Sequence, residues 1–144
     1  MDTPTTHIFR ASLNGKLYRD IELDSSQSLH DLAEAIVQAF DFDLDHAFGF
    51  YSKLTGHYHD SPVKYELFAD LDDGESDAGS VMNTTIAEAF PDVKSQMLFL
   101  FDYGDQWEFK VRVTGMGKLD PKAEYPKILK SVGKALPQYP DLEE

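Results

Sequence analysis

The stretch FDYGDQWEF, residues 101–109, places Asp102, Asp105 and Glu108 among four aromatic residues and Gly104. Carboxylates gathered at a strand end can hold Mg²⁺ or Mn²⁺, or work as an acid/base pair. His46 follows Asp43 and Asp45 at the head of an aromatic run; if it met Asp102, Asp105 and Glu108 in space, its nitrogen would move the preference toward Mn²⁺, Fe²⁺ or Zn²⁺. The chemistry so implied is that of a metal-dependent hydrolase or nuclease-like enzyme. The candidate set is His46, Asp102, Gly104, Asp105, Trp107 and Glu108, with His46, Asp102 and Asp105 as the metal candidates. The same residues also read as a hairpin. Met97–Phe101 is a continuous apolar run, Trp107, Phe109, Val111 and Val113 alternate with Glu108, Lys110 and Arg112, and Asp102-Tyr103-Gly104-Asp105 supplies the turn, with Gly104 free to take a positive φ. A site needs a group that polarises or attacks besides carboxylates, so the hairpin is the stronger reading and no catalytic residue is assigned.

Other clusters carry less. His57 and His59 have strand spacing and would share a face, but nothing around them has the fixed spacing of a zinc finger. Residues 70–80, DLDDGESDAGS, hold five acids, yet counting back from Gly74 puts Ala69 and Leu71 at the first two ligand positions of a calcium loop. A solvated acidic loop is the reading that remains. There is no P-loop, dinucleotide glycine motif, nucleophile elbow or helical His-Glu-x-x-His. Cysteine is absent, which excludes disulfides, thiolate metal sites and cysteine nucleophiles.

The elements that must position these residues follow from periodicity. HIFRASLNGKLYRDIEL is two β-rich runs around Asn14-Gly15. A strict two-residue loop would mix apolar and charged residues on one face; a three-residue loop, Leu13-Asn14-Gly15 with a bulge at Gly15, gathers Phe9, Ala11, Leu17, Ile21 and Leu23 on one side, with Arg19 the exception. Leu29, Leu32, Ala33, Ile36, Val37 and Phe40 keep helical spacing, and Ser28 with Asp31 forms a capping box; His30, in the first turn, reads as a surface residue. A strand over 47–51, a turn at Gly56, a second short strand and another within KYELFADL follow, then a short helix capped by Thr85 and Glu88 and stopped by Pro91.

With 144 residues and 42% hydrophobic content the chain suits one domain over 1–144, with the acidic loop at 70–80 and an acidic C-terminal tail at 135–144. No apolar run approaches a membrane span and MDTPTTHIF lacks the pattern of a secretory leader, so a cytoplasmic protein without membrane contact is expected. A formal charge of −13 argues against binding duplex nucleic acid. The charge is uneven: residues 110–134 carry seven basic residues against Asp120 and Glu124, a local +5 that leaves −18 elsewhere. Spaced lysines of this kind read first as a solvated face, and second as a segment that docks on the chain's own acidic body or on an acidic partner.

The segments LHDLAEAIVQAFDFDLDHAFGF, FLFDYGDQWEFKVRV and KSVGKALPQYPDLEE together resemble the plasmid pRiA4b ORF-3-like family over almost the whole chain. The resemblance falls on Leu29, His30, His46, Asp102, Gly104, Asp105, Trp107 and Glu108. Phe109 stands where many members have histidine, Phe42 where many have tryptophan, and Gln106 where an acid is frequent. A role carried by that histidine is therefore closed to position 109. The resemblance implies an α+β fold: a small single-domain roll with a β-grasp-like hairpin–helix–strand arrangement, its mixed or antiparallel sheet packed by one main amphipathic helix. It implies no activity, since the family is largely uncharacterised. Some members carry a mobile-element or resolvase label, but a recombinase needs a nucleophile among arginines, and this chain has only Arg10, Arg19 and Arg112.

The function is thus unknown from sequence. The leading expectation is a non-enzymatic interaction domain whose hairpin edge, acidic loop and acidic tail YPDLEE engage an unidentified protein partner. The alternative is the metal-dependent hydrolase described above, and a divalent metal is the cofactor that alternative would need.

Overall fold

The structure, a computed structural model, describes residues 5–14, 16–42, 47–54, 60–66, 79–102 and 107–133. It is sheet-rich. The strands are β1 (Thr5–Asn14), β2 (Leu17–Asp24), β3 (Phe48–Tyr51), β4 (Lys64–Glu66), β5 (Gly79–Ser80), β6 (Gln96–Phe101), β7 (Trp107–Lys118) and β8 (Lys127–Val132), and the helices are α1 (Leu29–Ala39) and α2 (Ile86–Ala89). One mixed sheet runs in the order β5-β4-β3-β6-β7-β1-β2-β8, parallel between β4 and β5 and antiparallel at the other pairings. The helical content is small beside it, so the fold is mostly β. The strand after α1 does not sit beside the opening hairpin, because β6 and β7 lie between them.

The hairpin keeps the expected parity but not the expected turn. Phe9 lies opposite Ile21 and Ala11 opposite Arg19, while the pairing ends at Asn14 opposite Leu17 with the irregularity between Ser12 and Asn14. The extra residue is therefore Leu13, one strand position before the turn. Either placement shifts the register by one and brings the apolar set to one face, and burial selects only that parity. Arg19 does face the core, 5% exposed. Its guanidinium donates to the carbonyls of Ala39 (3.0 Å), Tyr18 and Val132 (2.9 Å each) and lies 4.8 Å over the Phe40 ring. A cation at the carboxyl end of α1 is favoured by the helix dipole, which explains an arginine among apolar neighbours.

Helix α1 covers one face of the sheet with Leu29, Leu32, Ala33, Ile36 and Val37 against Phe9, Ile21, Leu23, Phe99 and Phe109. Its four leading N–H groups are all used. Leu29 and His30 donate to the carbonyls of Thr84 (2.9 Å) and Val81 (3.1 Å), Asp31 to the Ser28 hydroxyl (3.1 Å) and Leu32 to the Ser28 carbonyl (3.1 Å). Helix α2 answers in kind, with Ile86 and Ala87 donating to Gln27 (2.8 Å) and Ser25 (3.1 Å). Both expected capping boxes are present, and Ser28 and Thr85 are themselves bridged. At the far end, Asp41 takes φ 62°, and the N–H groups of Asp41 and Phe42 return to Gln38 (3.0 Å) and Val37 (2.8 Å). This Schellman arrangement swings Phe42 back over the sheet.

The run Met97–Phe101 is buried throughout, as its unbroken hydrophobicity requires. Phe99 and Phe101 face α1, while Leu98 and Leu100 pack with Tyr51 and Leu54 on the opposite side. β7 alternates buried and exposed residues up to Thr114, which is the extra residue of a bulge between Ile8–Gly115 and Phe9–Val113.

Two expectations need correction. The hairpin has no free edge: β1 lies between β7 and β2, and β2 between β1 and β8. The strands missed are the two-residue β5, inside the expected acidic loop, and β8, whose residues are largely exposed and so lack the alternation that marks a strand in sequence. The turn at Gly56, the strand expected after it, most of the acidic loop and the 135–144 tail lie outside the described residues.

Candidate functional site

The candidate residues meet the structure where β6 ends and β7 begins. Asp102 follows Phe101 in the left-handed region, φ 63°, at 7% exposure, and its N–H donates to the Ala47 carbonyl at 2.9 Å. Aspartate tolerates this conformation better than branched or bulky residues do. The bond to Ala47 ties the end of β6 to the entrance of β3, the strand it pairs with.

Trp107 opens β7 opposite Phe101 and packs edge-on against Phe42, with ring centroids 4.8 Å apart. Its position beside Phe42 is a product of the Schellman turn after α1. The indole Nε1–H is buried and has no hydrogen-bond acceptor, unlike the other buried side-chain donors among the described residues. Glu108 is exposed and opposite Leu100, on the face of the sheet away from α1. Phe109, one residue on, returns to the core at 0% exposure, 4.9 Å from Phe40 and 5.6 Å from Phe99 by ring centroid. Position 109 is thus a core position. The alternation of β7 sends Trp107 and Glu108 to opposite faces.

His46, Gly104 and Asp105 lie outside the described residues, as do His57 and His59. Among the described residues no group of three or more His, Asp or Glu side chains is placed to hold a metal ion. His30 is half-buried, its ring 5.8 Å from that of Phe48.

A polar chain that periodicity does not reveal lies at the other end of β1. The Thr5 hydroxyl donates to Ser25 Oγ (2.9 Å), Ser25 Oγ stands 2.7 Å from His7 Nδ1, and His7 Nε2 stands 2.8 Å from the Phe90 carbonyl. A carbonyl can only accept, so Nε2 carries the proton; in the neutral ring Nδ1 then accepts from Ser25. A serine beside an imidazole resembles a nucleophile and base, but His7 and Ser25 are 3% and 6% exposed and both ends of the chain are satisfied. The group is a buried tie between β1, the β2–α1 turn and the end of α2.

Two shifted groups flank the sheet. The Arg10 guanidinium is raised above its ordinary value, chiefly by its bonds to the Asp20 carboxylate (2.9 and 3.0 Å). Burial, and next the Glu88 carboxylate, raise the Tyr65 phenol. No helix among the described residues is long and apolar enough to cross a membrane.

Comparison with known proteins places this arrangement. No curated protein matches the chain. A crystal structure of a protein of unknown function, MM3350 from Methanosarcina mazei Go1, superposes with a TM-score of 0.77 at 20% identity, covering 95% of this chain and 75% of that one. The likeness is one of fold. The family model described as plasmid pRiA4b ORF-3-like protein matches residues 8–139, which takes in the hairpin, α1, the β6–β7 segment and β8. The family and this neighbour are alike without an established activity, and the chain belongs to the plasmid pRiA4b ORF-3-like family.

Proposed function

We propose that the chain is a non-enzymatic protein-interaction domain and that it engages its partner along β8. The observation that carries this reading is the unequal finish of the sheet. Among the described strands β8 ends the sheet on one side, six residues long, with Ile128 and Leu129 54% and 50% exposed. A strand in this position turns half of its backbone N–H and C=O groups away from its neighbour, which is the template that an added strand uses. The other end of the sheet is closed by β5, only two residues long and without an exposed large apolar side chain.

The reading is tested by using the purified chain and an Ile128→Asp/Leu129→Asp variant as baits, with circular dichroism as the check on folding. Partners held by the first and lost by the folded second support it; the same partners on both would remove β8 from the function. The hydrolase reading is tested separately by the unfolding midpoint in EDTA against Mg²⁺, Mn²⁺ or Zn²⁺. An ion at about 100 times its dissociation constant adds roughly 2.7 kcal/mol. A gain of that size, lost in Asp105→Asn, would replace the interaction reading by the enzymatic one.

A further inference from the structure

We infer that the β8 edge accepts an extended segment of a partner protein in which acidic and aliphatic residues alternate; this rests on the interaction reading above and specifies the partner's chemistry. The argument starts from the register of β8 on β2. Lys127 lies opposite Glu22 and Lys130 opposite Asp20, on the face away from α1, whereas Ile128 lies opposite the core residue Ile21. Leu129 is the extra residue at the irregularity between Asp20 and Ile21. The edge therefore presents ammonium groups on one face and an aliphatic side chain on the other, with Leu129 exposed between them.

The lysines face acids in register but do not hold them. Asp20 is occupied by the bidentate fork of Arg10, at 2.9 and 3.0 Å, and Glu22 accepts from the Thr6 hydroxyl at 2.6 Å. Among the described residues neither Lys127 nor Lys130 makes an ion pair; their Nζ atoms lie 5.0 Å over the Tyr125 ring and 5.9 Å over the Tyr18 ring. Two lysines that make no ion pair among the described residues, at a sheet edge in a chain whose formal charge is −13, form a local attraction for a carboxylate. Edge lysines often serve only to repel strand addition; what sets this edge apart is that Ile128 and Leu129 stand exposed between the two lysines.

An added strand would lie about 4.8 Å from β8 and about 9.6 Å from β2. Its acids would thus meet the lysines directly and feel Asp20 and Glu22 across roughly a Debye length. Side chains alternate along a strand, so acids over Lys127 and Lys130 place intervening residues beside Ile128. A nucleic-acid strand uses none of the backbone pairing and none of the aliphatic surface, and it would carry its charge past an acidic body.

The test is fluorescence anisotropy of the full chain with four labelled probes: an eight-residue peptide alternating glutamate and valine, the same peptide N-methylated at alternate backbone amides, its lysine–valine counterpart, and an oligothymidylate of equal charge. The expected result is binding of the first probe, weakened by salt and reduced about tenfold by Lys127→Glu/Lys130→Glu, with the other three weak. Far-ultraviolet circular dichroism establishes that the variant is folded. Equal binding of the N-methylated peptide would overturn strand addition, and tighter binding of oligothymidylate would assign the cations to nucleic acid. Equal binding of the lysine peptide, or no peptide binding while captured partners still depend on Ile128 and Leu129, would overturn this inference and leave the interaction reading standing. Loss of both would overturn both.

Discussion

Two regions of the sheet are built on different terms. Where β3 meets β6, both faces are buried: Phe48, Phe50 and Phe99 lie under α1, and Tyr51, Leu98 and Leu100 are 0–2% exposed on the reverse side. Across β7, β1, β2 and β8 the α1 side is apolar, whereas the reverse carries, beside Ile8, Arg10, Tyr18, Asp20, Lys110, Arg112 and Lys130. Burial on both faces thus marks the aromatic region. The surface proposed to meet a partner lies in the charged one.

That contrast can be broken most directly at Phe99, which stacks on Phe50 at 4.9 Å and touches the rings of Phe48, Phe101 and Phe109. Phe99→Ala should cost about 3–5 kcal/mol, and Leu100→Ala, on the reverse side, about 2–4 kcal/mol in urea unfolding. Lys110, exposed on that same reverse face and opposite Leu98, should change stability by no more than about 0.5 kcal/mol when replaced by Ala. A Leu100→Ala effect as small as that of Lys110→Ala would erase the distinction between the two regions.

A smaller effect concerns the end of β6. Asp102→Val must force a branched residue to φ 63° and should lose about 1–2 kcal/mol more than Asp102→Asn, which keeps the tolerance for that backbone. Equal stability of the two variants would mean that the backbone conformation does not select the aspartate.

The smallest effect appears only in alkali. The Tyr65 phenol is raised by burial and by Glu88, so the unfolded chain releases its proton first as the pH passes about 10, and stability falls from there upward. Below that value the group contributes no slope. Tyr65→Phe should flatten the decline above pH 10, read as unfolding midpoints against pH; an unchanged decline would assign it to other groups.

Much of this is legible in the sequence. The parity of the hairpin, α1, both capping boxes and the β6–β7 pair each rest on local periodicity or on residues three apart, and all are present. The turn register is not, because Leu13 and Gly15 satisfy the same face requirement. β8 is not, because KILKSV at an edge buries almost nothing and so carries no face signal. The link from His7 to Phe90 spans 83 positions and has no sequence signature. Of the candidate site, the position of Phe109 in the core follows from alternation, whereas the fates of Asp102 and Trp107 depend on a backbone conformation and on Phe42, which a distant helix end delivers.

The exchange of caps between the two helices also bears on the order in which the chain acquires its structure. The leading amides of α1 are satisfied by Val81 and Thr84, and those of α2 by Ser25 and Gln27, so neither helix start is complete until both segments exist. During synthesis the opening hairpin and α1 emerge long before their partners. Closing that gap requires a large loop, and the entropy of that closure falls on the step that brings residues 81–90 home. The α1 start is therefore part of an element made early whose caps come from a segment made later.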